Sequence, residues 1–255
     1  MEPLTGTGPS QILYGPAGTV DQEYLMPQSY VNDSELFEII RTELFTAVVG
    51  DVMDSLGFVQ QVLSPEIRPV RDDMVLVGRA MPVVEADYLT GDGEPSAGPL
   101  ADKPFGLMLE ALDALQPGEI YVASGAVKPY ALWGELMSTR ARHLGATGAL
   151  LNGYARDIAG MRALDFPTFA CGWYAQDQGP RGKVVDYRVP LEIGGVRIDP
   201  GALLFGDREG VLVVPRQAEE EVIERALEKA RGEKLVADAI RGGMSAVEAF
   251  RTYGI

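Results

Sequence analysis

The chain has 255 residues, and a hydrophobic content of 46% is enough to bury a core in one sizeable domain. No apolar run approaches the ~20 residues that a membrane helix needs. A formal net charge of −15, with no run of basic residues, excludes non-specific binding of DNA or RNA. The single cysteine, Cys171, excludes an intrachain disulfide framework and suits a reducing cytoplasm, the expected location.

Residues 1–31 read as a loosely ordered arm containing Gly, Pro and Thr. They lack the basic region and apolar core of a secretory signal. The folded domain is expected over 32–255. Leu36, Ile39, Ile40 and Leu44 at helical spacing predict one helix across 32–57, capped by Asn32 or Ser34 and stopped by Gly57. A long strand is predicted at 74–87, and a Gly/Pro/Asp-rich loop at 90–104. A helix follows at 105–115, then a turn at Gln116-Pro117-Gly118 into a strand at 119–123. Gly134 opens a helix that Gly145 closes. Buried strands are predicted at 148–152 and 167–172. From Gly182 the pattern changes to hairpins, with strands at 183–193, 196–198, 203–205 and 211–214 and turns at Gly194-Gly195 and Pro200-Gly201. After Pro215 the chain reads as helical, and Ser245 with Glu248 forms a capping box for a last short helix. Helices alternating with strands, then hairpins, predict a mixed α/β sandwich.

The chemistry gathers at LLNGYARD, residues 150–157, where an apolar strand ends in Arg156-Asp157. A helix start preceded by glycine exposes unpaired N–H groups suited to an anion, and Gly134-Glu135-Leu136-Met137 is such a start. The helix and strand that follow return the chain to Arg156. An arginine fork beside free N–H groups would grip a 2-oxo carboxylate from two sides. Asp157, with Glu135 nearby, offers hard oxygen ligands for Mg²⁺ or Mn²⁺.

The acidic Glu135, twenty intervening positions and Arg156-Asp157 match the signature of the RraA-like family, which includes class II 4-hydroxy-4-methyl-2-oxoglutarate / 4-carboxy-4-hydroxy-2-oxoadipate aldolases. VVGDVMDSLG, VGRAMPV, QPGEIYVAS and GDREGVLVVP resemble the family in the same order, so the likeness spans roughly 35–250. The resemblance implies a swivelling α/β/α sandwich with a C-terminal helical extension, assembled as a homotrimer or homohexamer with active sites between subunits. It implies a divalent-metal-dependent lyase that cleaves a 4-hydroxy-2-oxo acid to pyruvate and a keto acid through a pyruvate enolate. Oxaloacetate decarboxylation is the implied side activity. By the same resemblance, Gly134 to Met137 and Arg156 would bind the pyruvyl carboxylate, Asp157 would hold the metal, and Glu135 would position a metal-bound water for proton transfer. Glu233 matches a glutamate contributed by a neighbouring subunit. The family's aldolases carry aspartate where this chain has Glu135; the extra methylene would move the carboxylate by about 1 Å and alter proton transfer.

Other residues read as structural. His143, the lone histidine, sits mid-helix, which excludes a His-based zinc site or a Ser-His-Asp triad. Cys171 reads as a core thiol, Asp51 and Asp54 as a solvated helix face or cap, and Asp207 and Glu209 as turn residues. Of five lysines only Lys128 falls near the motif, in a Lys-Pro turn unsuited to Schiff-base chemistry. No glycine pattern opens a helix as a nucleotide site would. Trp133, Tyr154 and the 90–104 loop are candidates for the specificity pocket. Two alternatives stand beside the lyase: a non-catalytic ribonuclease inhibitor that docks on its partner, and the same enolate chemistry on another keto acid.

Overall fold

The computed structural model describes residues 30–88, 98–127 and 129–253. All of the expected arm except Tyr30 and Val31 lies outside the described residues, as do Lys128 and the 90–97 part of the expected loop.

Helix α1 (Asp33–Glu43) is capped from both sides. The Asn32 side chain accepts from the Glu35 N–H at 3.0 Å, and the Glu35 carboxylate accepts from the Val31 N–H at 3.0 Å. The single helix expected over 32–57 is in fact two. Leu44 and Phe45 are extended, and α2 (Thr46–Ser55) starts afresh where Asp207 accepts from the Thr46 N–H at 2.9 Å and its hydroxyl at 2.7 Å. Apolar spacing runs through the break, because the group that makes it comes from a distant strand.

The strands are β1 (Arg68–Pro69), β2 (Leu76–Asp87), β3 (Glu119–Ser124), β4 (Ala131–Trp133), β5 (Gly148–Ala155), β6 (Thr168–Trp173), β7 (Gly182–Tyr187), β8 (Leu191–Ile193), β9 (Val196–Ile198), β10 (Leu203–Asp207) and β11 (Gly210–Val214). The remaining helices are α3 (Met108–Asp113), α4 (Glu135–His143), α5 (Ile158–Leu164), α6 (Glu219–Arg241) and α7 (Ala246–Tyr253). Nine strands form one mixed sheet, ordered β1-β6-β5-β3-β2-β10-β11, with β4 beside β5 and β7 beside β2. Strands β2, β3, β5 and β6 run parallel. The expected run at 183–193 divides, since β7 pairs antiparallel with β2 while β8 and β9 make a separate hairpin.

Side-chain alternation shows why helices cover both faces. On β10 and β11, Leu203, Phe205, Leu212 and Val214 pack with α1, α2 and α6 in one core. Their neighbours Leu204, Val211 and Val213 join a second core with α3, α4 and α5. The result is the expected three-layer α/β/α arrangement, with α6 and α7 as the C-terminal helical extension. No described helix is long and apolar enough to cross a membrane.

Candidate functional site

The site forms at the carboxyl ends of the parallel strands, where open α/β sheets bind ligands. Strand β4 pairs in parallel with the end of β5, Ala131 opposite Tyr154 and Trp133 opposite Ala155. The Arg156 N–H accordingly donates to the Trp133 carbonyl at 3.0 Å, and the start of α4 lies beside Arg156-Asp157. Gly134 is the N-cap and has no side-chain cap of its own. The Ser138 N–H returns to the Gly134 carbonyl at 3.0 Å, so the N–H groups of Glu135, Leu136 and Met137 have no partner within the helix. Ser138 braces the corner: its hydroxyl donates to the Gly134 carbonyl at 3.1 Å and accepts from the Trp133 indole N–H at 2.7 Å.

Asp157 has a left-handed backbone (φ 60°, ψ 37°), a conformation that short polar side chains tolerate. It begins α5, a helix that sequence periodicity missed, and its carboxylate reaches the start of α4. Asp157 Oδ2 accepts from the Glu135 N–H at a long 3.4 Å and lies 3.8 Å from Arg156 Nε. A Cβ at position 134 would come 2.6 Å from that oxygen, so the approach requires glycine. The carboxylate therefore occupies part of the anion site read from sequence, leaving the N–H groups of Leu136 and Met137 for a ligand. On the other side of the guanidinium, Arg156 Nη2 lies 3.1 Å from Asp177 Oδ1.

A cavity of about 280 Å³ opens onto this corner, near the lower end of the range for small-molecule sites, ~300–1,000 Å³. Gly134, Leu136, Met137, Arg156 and Asp157 line it, together with Trp133. Sequence reading missed Asp177, Gln178 and the wall made by Phe105 with Met108, Leu109 and Leu112 of α3. Asp177 and Gln178 arrive because the Ala131 N–H donates to the Gln176 carbonyl at 2.9 Å, a contact that leaves no mark in local sequence. A second opening of about 320 Å³ reaches Arg156 and Asp157 past Trp173 and Tyr174.

Behind Gln178 lies a buried carboxyl. Glu85 Oε2 accepts from the Gln178 amide at 2.8 Å, while Glu85 Oε1, the Tyr121 hydroxyl and Gln178 Oε1 have no partner among the described residues. Burial pushes Glu85 up to about 8 and the Tyr121 hydroxyl well above its ordinary value.

Other expected residues lie elsewhere. The Glu135 carboxyl rests against Gly160 of α5 and does not line the cavity, although its backbone does stand at the corner. Glu233 lies on α6, 3.8 Å from Lys229, in the opposite helical layer, so one chain alone does not bring it to Arg156. His143 is exposed in the last turn of α4. Cys171 is half-buried, its thiol raised by burial. Asp51 pairs with Lys229 at 2.6 Å, Asp54 is exposed, and Asp207 accepts from the Glu209 N–H in its turn. Tyr154 packs on Tyr174 at 5.7 Å between ring centroids, not in the cavity, and residues 98–104 do not line it either.

The donor set bears on a metal ion. No group of three His, Cys, Asp or Glu side chains gathers among the described residues, which argues against an enclosed structural site. Asp157 is a half-exposed carboxylate at the mouth of the cavity. That suits a hard cation such as Mg²⁺, which keeps several waters and completes its shell with one or two carboxylates and substrate oxygens.

Known proteins resemble this chain over most of its length. A family model described as RraA-like, Aldolase/RraA, matches residues 46–213. A Halalkalibacterium halodurans protein provisionally named 4-hydroxy-4-methyl-2-oxoglutarate aldolase is 31% identical over 207 residues, 80% of this chain and 89% of that one. A solved structure described as one of novel cellulases from microbes associated with the gut ecosystem is 30% identical, with a TM-score of 0.70 over 84% of this chain and 90% of that one. Streptomyces coelicolor RraAS2, described as an unusual member of the RNase ES inhibitor RraA family, shares the fold at 21% identity. Its TM-score is 0.66 over 80% of this chain and 96% of that one.

Proposed function

The chain belongs to the RraA-like family, and from that premise we propose that it is a divalent-metal-dependent carbon–carbon lyase. Its substrate would be a 4-hydroxy-2-oxo acid cleaved to pyruvate and a second carbonyl compound, with oxaloacetate decarboxylation as a side activity. One observation carries the reading: Arg156, the unpaired N–H groups of Leu136 and Met137, and the Asp157 carboxylate converge on one cavity.

Arg156 and the start of α4 hold the substrate carboxylate, fixing the 2-oxo group beside Asp157. Asp157 would hold the divalent ion, which acts as a Lewis acid on the 2-oxo group. As the 4-hydroxyl loses its proton, the C3–C4 bond breaks and its electron pair moves toward C2, giving the enolate of pyruvate and a new carbonyl at C4. Arg156 supplies a fixed positive charge as negative charge develops there. A proton delivered to C3 completes pyruvate. Glu135, at the outer edge of the corner, and Glu233 of a neighbouring subunit are the proposed proton-handling carboxylates. A homotrimer or homohexamer would bring the second of these in, and the exposed Leu136, Val247 and Phe250 support burial against other copies. The single Cys171, a free thiol, is in keeping with a cytoplasmic enzyme.

A polysaccharide substrate fits poorly, because the cavity walls are mostly aliphatic and offer a sugar chain few partners. The test is pyruvate release from 4-hydroxy-4-methyl-2-oxoglutarate and from oxaloacetate, with Mg²⁺ or Mn²⁺ and again with EDTA. EDTA-sensitive turnover above the metal-only rate is expected. No turnover of any 2-oxo acid, together with capture of a stable protein partner, would reverse the reading in favour of a regulator.

A further inference from the structure

The two ends of the cavity differ in chemistry, and the difference bears on the half of the substrate that does not become pyruvate. At the polar end Arg156 is the one cation among the described lining residues, and it is flanked by Asp157 and Asp177. The other polar side chains there are neutral and at least partly committed within the protein. Gln178 is buried with one amide N–H on Glu85, and the Trp133 indole N–H is taken by Ser138. The opposite wall is Phe105, Met108, Leu109, Leu112, Leu136 and Met137.

Among the described residues of one chain, a second carboxylate on the substrate would therefore meet two aspartates and a hydrocarbon wall, with no second cation. Burying a charge without a partner is strongly unfavourable, and like charges at the same site add to the cost. An alkyl or aryl group would instead gain the transfer free energy of each buried methylene, ~0.8 kcal/mol. We infer that this chain prefers, over dicarboxylates such as oxaloacetate, 2-oxo acids with one carboxylate and an apolar tail seated between α3 and α4, and then releases an apolar aldehyde or ketone beside pyruvate. The inference rests on the pyruvate-enolate reading and narrows it, since a keto-acid product would place its carboxylate against that wall.

The test uses exchange of the pyruvate C3 protons in D₂O, followed by NMR, which needs enolate formation and no tail. Exchange is then inhibited with 2-oxohexanoate or 2-oxoadipate, which share a six-carbon chain and differ in a terminal methyl or carboxylate. Half-inhibition by 2-oxohexanoate is expected at a concentration at least about tenfold lower. Leu109→Arg, at the exposed rim, should narrow that ratio by improving 2-oxoadipate. Equal or stronger inhibition by 2-oxoadipate overturns the inference while the enolate reading stands. So does exchange that neither acid inhibits, or a ratio unmoved in Leu109→Arg. Absence of exchange itself removes the enolate reading and this inference with it.

Discussion

Two arginines in this molecule each sit between two carboxylates, and they are built to different ends. Arg79, on β2, donates to Asp33 at 2.9 Å through Nε and to Glu219 at 2.5 and 2.9 Å, with the Phe37 ring 5.9 Å from its guanidinium. Its side chain is 20% exposed and its donors are largely spent on tying α1 and α6 to the sheet. Arg156 is 39% exposed, with one contact at 3.1 Å and another at 3.8 Å. A saturated fork fastens protein to protein, whereas a half-satisfied fork at a cavity mouth retains donors for a ligand.

Exchanging each arginine for alanine gives the largest contrast. Arg156→Ala should lower pyruvate exchange and aldol cleavage by about 10²–10³-fold, the scale of losing one charge-stabilising donor. Its urea midpoint should barely move, since exposed pairs contribute under ~1 kcal/mol. Arg79→Ala strands the buried Glu219 and should cost about 3 kcal/mol in urea melts, with activity per folded molecule retained. If Arg79→Ala lost activity at an unchanged midpoint, the division of labour between the two would collapse.

Glu85 is the carboxyl to which the fold gives no arginine. Burial alone raises it to about 8 from its usual 4.5, so the folded chain holds a proton that the unfolded chain releases between those values. Stability from this group is full below pH 4.5 and declines as pH rises toward 8, by up to ~1.4 kcal/mol per pH unit. Glu85→Gln, which keeps a neutral acceptor for Gln178, should flatten the wild-type fall in urea midpoint between pH 5.5 and 8.5. Parallel slopes for the two proteins would mean that Glu85 already ionises at neutral pH in the fold.

How much of this was legible follows the distance between partners along the chain. The helix between Gly134 and Gly145, the strands near 119 and 148, and the pairing of position 134 with Arg156-Asp157 lie in one short crossover, and sequence pattern reached them. Strand β4 is three residues held only by β5 and by the Gln176 carbonyl, so no periodicity marks it. Helix α5 has seven residues, includes Gly160 and begins from a left-handed aspartate, which hides it as well. The break at Leu44 depends on Asp207, and the cavity's second aspartate and apolar wall depend on packing among β4, α3 and the segment after β6. The residue types that suit catalysis were visible locally. The apolar wall of the cavity was not, because the cavity is assembled from three separate segments.

Gly134→Ala sharpens the comparison at closer range. The extended backbone there (φ −156°, ψ −174°) accepts alanine, but the new methyl would crowd Asp157 Oδ2 at 2.6 Å and push the carboxylate off the start of α4. A roughly tenfold loss in kcat/KM for aldol cleavage is expected, the scale of a small misplacement at a reacting centre. Thermal stability should stay within a few degrees of wild type. Unchanged kinetics would mean that the position of Asp157 against the helix is incidental.

The smallest expected effect separates two roles for Asp177. Its carboxylate is 42% exposed and only 3.1 Å from Arg156, so it either aims the guanidinium or competes with the substrate for it. Arg156 is already placed by the Trp133 carbonyl through its backbone and by Asp157 beside it, which leaves competition as the larger part. Asp177→Asn should then lower KM for a monocarboxylate 2-oxo acid about two- to fivefold with little change in kcat, in line with an exposed pair worth under ~1 kcal/mol. A raised KM would show Asp177 orienting the fork, and Arg156 would then be closer in kind to Arg79 than its open geometry indicates.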